Sequence, residues 1–246
     1  MRVTENGDGR DDWRGGEAPV SGEEGLDVDL SGRDIRNLNL NGTRVREAML
    51  AGARLSGFIG DLVINDVEVA PLIAAELDRR HPERLLLRPR TADGVREAWQ
   101  VIEEQWAATK ARASGLPVDV LRQRVDDEWS FLETQRHLVF VHDAWIGARA
   151  LGRSGHFCRF ALPPSFIADP SPNGIDRAAD PSIDEVVAAR EERMAETRSL
   201  VDGLADADLP VERAGFTVLR CIRTVLDEEW AHNRYANRDL DRLDVT

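Results

Sequence analysis

Glu228 and His232 stand four residues apart in the stretch Val225-Leu-Asp-Glu-Glu-Trp-Ala-His-Asn-Arg-Tyr-Ala-Asn-Arg-Asp-Leu240. On a helix that spacing stacks two side chains on one face. A carboxylate and an imidazole so placed can share one divalent cation, with a third ligand supplied by a facing helix. The best candidate for that third position is His137, in Trp129-Ser-Phe-Leu-Glu-Thr-Gln-Arg-His-Leu-Val-Phe140. Two histidines and a carboxylate with a fourth position open form the donor set of a catalytic zinc site rather than a closed structural one. Glu-x-x-x-His is also a common solvated helix pair, so the spacing alone does not decide between the two.

Three further acidic residues could join the set as alternative or supporting groups. Glu229 lies nearer the centre of its helix's apolar stripe than Glu228 and is three residues from His232. A carboxylate buried there needs an arginine, a metal or a proton as partner. Glu228 has the four-residue spacing and is the favoured ligand, with Glu229 left open. Asp239, seven residues beyond His232, falls on the same side of the helix. Glu133 lies four residues before His137, but Ser130 three residues ahead of it reads as a capping box, which gives Glu133 a structural task. His142 falls off the apolar stripe of its helix and is set aside, as is His81, a connector residue beside Pro82.

Four helical stretches must carry these groups. The first spans Thr91 to about Ala113, with Val95, Ala98, Trp99, Ile102 and Trp106 on one stripe; Gly115-Leu-Pro117 ends it. The second starts at Ser130, with His137, Leu138, Val141, Ala144, Trp145 and Ala148 on one face. The third runs from about Ser182 to Leu204 on Ile183, Val186, Val187, Met194 and Val201, with Ser182 and Glu185 as a second capping box. The fourth begins near Thr217 and buries Val218, Ile222, Val225, Ala236 and Leu240. Between the second and third, Gly152 to Pro181 holds five prolines. So long a connection is expected to be a lid or binding loop: Pro163-Pro164 and Asp169–Gly174 as a pocket rim, and His156, Phe157, Cys158 and Arg159 as substrate contacts or loop anchors.

Upstream the pattern changes. Residues 1–27, rich in Gly, Asp and Glu, read as a flexible acidic leader. From Asp29 onward Leu30, Ile35, Leu40, Val45, Leu50 and Leu55 recur every five residues, a period that fits neither helix nor strand. It fits a square solenoid that turns one aliphatic residue inward per side, and it resembles pentapeptide-repeat proteins. Six units make about one and a half coils, too few to stand alone. Residues 28–66 are therefore expected to be a small cap and 67–90 a connector with a short helix over Leu72–Arg80, stopped at His81-Pro82. The bundle occupies 91–246. The fold class expected is mainly α: a four-helix bundle preceded by a short β-solenoid cap and a disordered leader.

A net charge of −13 argues against a nucleic-acid backbone or an anionic membrane as partner. No apolar run has the length of a membrane span, and no signal-peptide pattern opens the chain. Cys158 and Cys221, far apart and outside any CxxC, imply no disulfide framework, which suits the cytoplasm.

The order Trp129-Ser130-x-x-Glu133-x-x-x-His137-Leu138, followed about ninety residues later by Glu228-Glu229-Trp230-x-His232-x-x-Tyr235-Ala236-x-Arg238-Asp239-Leu240, resembles the DinB superfamily over roughly Thr91 to Thr246. That resemblance implies a four-helix bundle with a metal triad. The branch it is most similar to contains mycothiol-dependent maleylpyruvate isomerase, whose triad is His, Glu, His, here His137, Glu228 and His232. It implies a divalent metal, zinc by expectation or nickel acquired during preparation. The metal would activate a low-molecular-weight thiol such as mycothiol, which attacks an electrophilic small molecule, and a homodimer is also implied. The isomerases carry additional C-terminal material, whereas here the extra residues precede the bundle; the expectation is accordingly a more general thiol S-transferase. The competing reading is a non-catalytic metal-binding bundle whose cap mediates protein contacts. A metal hydrolase ranks third, with Glu133, Glu229 and Asp239 as the only visible bases.

Overall fold

The computed structural model describes residues 28–35, 38–57, 59–155 and 157–243; the expected acidic leader and His156 lie outside them. Two units are distinguished, Met1–Arg46 and Glu47–Thr246.

The five-residue repeat is built of turns. The amide of Arg33 donates to the carbonyl of Leu30, and the bond recurs ten residues on between Thr43 and Leu40, and again between Ala53 and Leu50. Gly32, Gly42 and Gly52 hold the left-handed position of each turn, where a side chain would be strained. Among the described residues no stacked solenoid is seen. Leu30, Ile35, Leu40, Val45, Leu50 and Leu55 are exposed rather than turned inward. So short an array has no neighbouring coil against which to bury them.

The β-branched stretch that follows closes into a two-residue hairpin, β1 (Val63–Ile64) against β2 (Val67–Glu68). Asn65 and Asp66 occupy its turn, both at positive φ, as a type I′ turn requires. Helix α1 (Ala70–Arg80) begins with a proline in its first turn and ends at His81.

The long helices start where their capping residues place them. Thr91 Oγ1 accepts from the Gly94 amide at the head of α2 (Ala92–Ala113). After the single turn α3 (Val118–Leu121), Ser130 and Glu133 form a complete capping box at α4 (Phe131–His142), and Ser182 and Glu185 another at α5 (Ile183–Asp202). Helix α4 continues as a π-wound stretch, Asp143–Ala150. A second hairpin, β3 (Glu212–Arg213) with β4 (Phe216–Thr217), leads straight into α6 (Val218–Leu243).

The packing defines the topology of the bundle. At one end Ala113 closing α2 and Leu240 near the close of α6 meet Phe131 and Ile183, the first residues of α4 and α5. At the other end Arg96, early in α2, donates to the carbonyls of Val201 and Leu204 at the end of α5. There too Trp145 after α4 meets Phe216 before α6, with ring centroids 5.2 Å apart. Helices α2 and α6 thus run one way and α4 and α5 the other. Two consecutive parallel helices need a crossover as long as the bundle, and the proline-rich segment 151–182 supplies it. Its length is explained by that return, and its residues are anchored. The Phe157 amide donates to Asn173 O, and the Cys158 amide to Asp143 Oδ2 at 2.7 Å. Arg136 Nε holds Phe160 O at 2.8 Å. A core of Val95, Trp99, Ile102, Trp106, Leu138 and Leu226, among others, fills the bundle. Among the described residues no helix is long and apolar enough to cross a membrane.

Candidate metal centre

His137 sits in the second turn of α4, and the Ser130 capping box sets the phase that turns it toward α6. Its ring is 5 % exposed. Nδ1 lies 2.9 Å from the carbonyl oxygen of Leu162 in the crossover. A carbonyl can only accept, so Nδ1 carries the proton and Nε2 keeps its lone pair. Metal-binding histidines are commonly oriented in this way.

That Nε2 faces Glu228 Oε2 at 3.6 Å, and His232 Nε2 lies 3.3 Å from the same oxygen. One ligand atom from each of His137, Glu228 and His232 falls within 4.8 Å of the others. Ligands about 2.0–2.1 Å from a tetrahedral zinc stand about 3.3 Å from one another, which is close to the two spacings measured to Glu228. Protonation states agree with this. Burial lowers the pKa of His137, which favours the neutral ring, against the opposing pull of Glu228. Burial raises that of Glu228, but the two imidazoles beside it bring it down to about 2. Neutral imidazole and ionised carboxylate are the forms that bind a cation. Glu228 is also the most open of the three, at 39 % exposed.

Aromatic rings surround the cluster. The Trp129 indole centroid is 4.5 Å from that of His137 and stacks 6.0 Å from His232. Phe140 lies beside His137 and Tyr235 edge-on to His232. An indole so close to these residues would report on an ion held there. Titrating metal-free protein with Cu²⁺ is expected to quench tryptophan emission, and Trp129→Phe to remove most of that quench. An undiminished quench in the variant places the ion elsewhere.

The other acidic candidates are engaged elsewhere. Glu133 completes its capping box and accepts from Arg124 Nε at 2.9 Å. Asp239 pairs with Arg238 at 2.7 Å, and Arg238 also reaches Glu128 at 2.5 Å. Glu229, with no solvent exposure, points into the core, where Arg190 Nη2 and His142 Nε2 each lie 2.5 Å from one of its oxygens. Of the three partners a buried Glu229 required, it has the arginine. Burial raises its pKa and Arg190 lowers it further, leaving an ionised carboxylate. His142, set aside as off the stripe, is 1 % exposed, because α4 is covered by α5, α6 and the crossover on nearly every side.

Sequence reasoning missed Arg190 and Leu162, and it set His142 aside as a ligand without seeing its place beside Glu229. Arg190 had left a signal: it falls four residues after Val186, at core spacing in α5, and a core arginine implies a core carboxylate. Leu162 contributes only its backbone, which no side-chain pattern reveals.

The fold is a helical bundle in which two histidines and one glutamate on facing helices form a group that could hold a metal ion. The DinB superfamily model matches residues 102–236, a span that includes all three residues, and the chain belongs to that superfamily. No curated protein and no solved structure matches it.

Proposed function

We propose that this protein is a divalent-metal-dependent S-transferase acting with a low-molecular-weight thiol of the mycothiol type. His137, Glu228 and His232 are the ligands in this reading, and zinc is the metal. The observation that carries it is the convergence of the three donor atoms at a partly open carboxylate. Held by these three residues, a divalent cation would supply the charge that lowers the pKa of an incoming thiol toward thiolate at neutral pH. The chain's own groups do the rest. Leu162 O keeps the His137 proton on Nδ1, and Trp129, Phe140 and Tyr235 restrict water around the imidazoles. Each lowers the cost of presenting a charged sulfur to an uncharged electrophile. Free Cys158 and Cys221 fit a reducing cytoplasm, where such thiols are abundant.

The test is conjugation of mycothiol to an activated aryl halide by zinc-loaded protein, with halide and a proton released as the carbon–sulfur bond forms. Turnover that requires both zinc and thiol supports the reading; zinc-loaded protein inert with every low-molecular-weight thiol ends it. The second reading, an interaction module on a metal-binding bundle, draws on the exposed aliphatic row from Leu30 to Leu55. Stoichiometric metal without turnover favours it.

A further inference from the structure

Directly behind the proposed ligands, all four long helices meet around one carboxylate. Glu229 of α6 is held by Arg190 of α5 and His142 of α4. The Arg190 guanidinium carbon lies 5.6 Å from the Trp106 ring centroid on α2, and His142 Nδ1 is 2.8 Å from Thr197 Oγ1. At 2.5 Å the His142 Nε2–H donates to Glu229, and Nδ1 lies against Thr197 Oγ1, whose own hydroxyl proton goes to the Arg193 carbonyl. Each oxygen of Glu229 has one of these two partners, and none of the side chains in this group is a proposed ligand.

Glu228 and Glu229 are neighbours on α6, about 100° apart around its axis. Any rotation or slide of α6 that moves one carboxylate moves the other. Apolar packing alone tolerates repacking and small shifts, whereas a buried charge displaced from its partner is strongly disfavoured. A functional metal site needs its ligands within about 0.5 Å of their places. We infer that Glu229, clamped by Arg190 and His142, is a positioning residue that locks the rotation of α6, so that Glu228 and His232 meet His137 across the bundle. This rests on the reading of those three residues as ligands. The adjacent glutamates divide the work, one facing the metal and its neighbour facing the clamp.

The test measures zinc affinity by chelator competition, the visible spectrum of the cobalt form, and the melting temperature of metal-free protein. The proteins compared are wild type, Glu229→Gln, the double variant Arg190→Met/Glu229→Met, and His137→Ala. Glu229→Gln is expected to weaken zinc binding about 10–100-fold, the usual scale for a group supporting the ligands. The double variant replaces the ion pair by apolar side chains, which restores the melting temperature of the metal-free fold. It is nonetheless expected to keep the weakened affinity and a changed cobalt spectrum, which a purely structural role would not produce. Wild-type affinity and spectrum in the double variant, or in Glu229→Gln should the double variant fail to fold, overturn the inference alone. No zinc in wild type, or undiminished zinc in His137→Ala, overturns the ligand assignment beneath it.

Discussion

His137→Ala and His232→Ala are each expected to reduce the metal content of protein purified without a histidine tag from about one divalent ion per chain to near zero. Four-ligand zinc sites gather about 10–16 kcal/mol in total, so one ligand accounts for roughly 3 kcal/mol, or about a hundredfold in affinity. Glu228→Gln keeps an oxygen in place but removes the charge that neutralises the cation, and falls between those variants and wild type. Elemental analysis with circular dichroism on each variant checks this. Metal lost while helicity is retained fixes the three ligands. The bundle should survive, because its core of Trp99, Ile102, Trp106, Leu138 and Leu226 does not depend on the site. If metal-free wild type takes up no ion on titration, the short Glu228–His232 spacing is a simple carboxylate–imidazole pair, and the S-transferase reading falls with it.

Arg190→Ala is expected to be among the most destabilising single changes in the chain. It leaves Glu229 ionised in the core without its cation, which costs about 3–5 kcal/mol. For a protein of this size each kcal/mol lowers the melting temperature by about 2–4 °C, so the expected fall is roughly 6–20 °C. The contrast is Arg159→Ala, which removes a pair with the exposed Asp176. Solvent-screened pairs contribute about 0–1 kcal/mol, and its melting temperature should stay within a few degrees of wild type. Thermal melts of both variants decide the matter. Similar small losses would mean that Glu229 does not depend on Arg190 for its charge in the core.

Much of the bundle was legible because helix signals are local. Ser130 with Glu133 and Ser182 with Glu185 mark helix starts by bonds spanning three residues, and the structure has both boxes complete. The stripe from Val218 to Leu240 repeats at the helical period, and its members are buried. The five-residue repeat was equally visible, but its consequence was not. A period shows that a turn recurs, as it does at Leu30, Leu40 and Leu50; whether the aliphatics find a partner depends on surfaces that a period does not describe. What the crossover's length serves was hidden for a related reason. Length and proline content mark a long loop, while only the parallel course of α4 and α5 shows that the length is needed to return the chain.

Sequence by itself determined the helices, the face shared by Glu228 and His232, and the requirement that a buried Glu229 have a partner. Each follows from spacing along a single helix. Tertiary structure alone decided which of the two glutamates faces His137 and which faces Arg190, that His142 belongs to the core, and that the carbonyl of Leu162 orients the His137 ring. These depend on the rotation of α6 against α4 and α5 and on the path of the crossover. Such relations are set by packing among segments far apart in the chain, from 25 residues between His137 and Leu162 upward, where no local period carries the information.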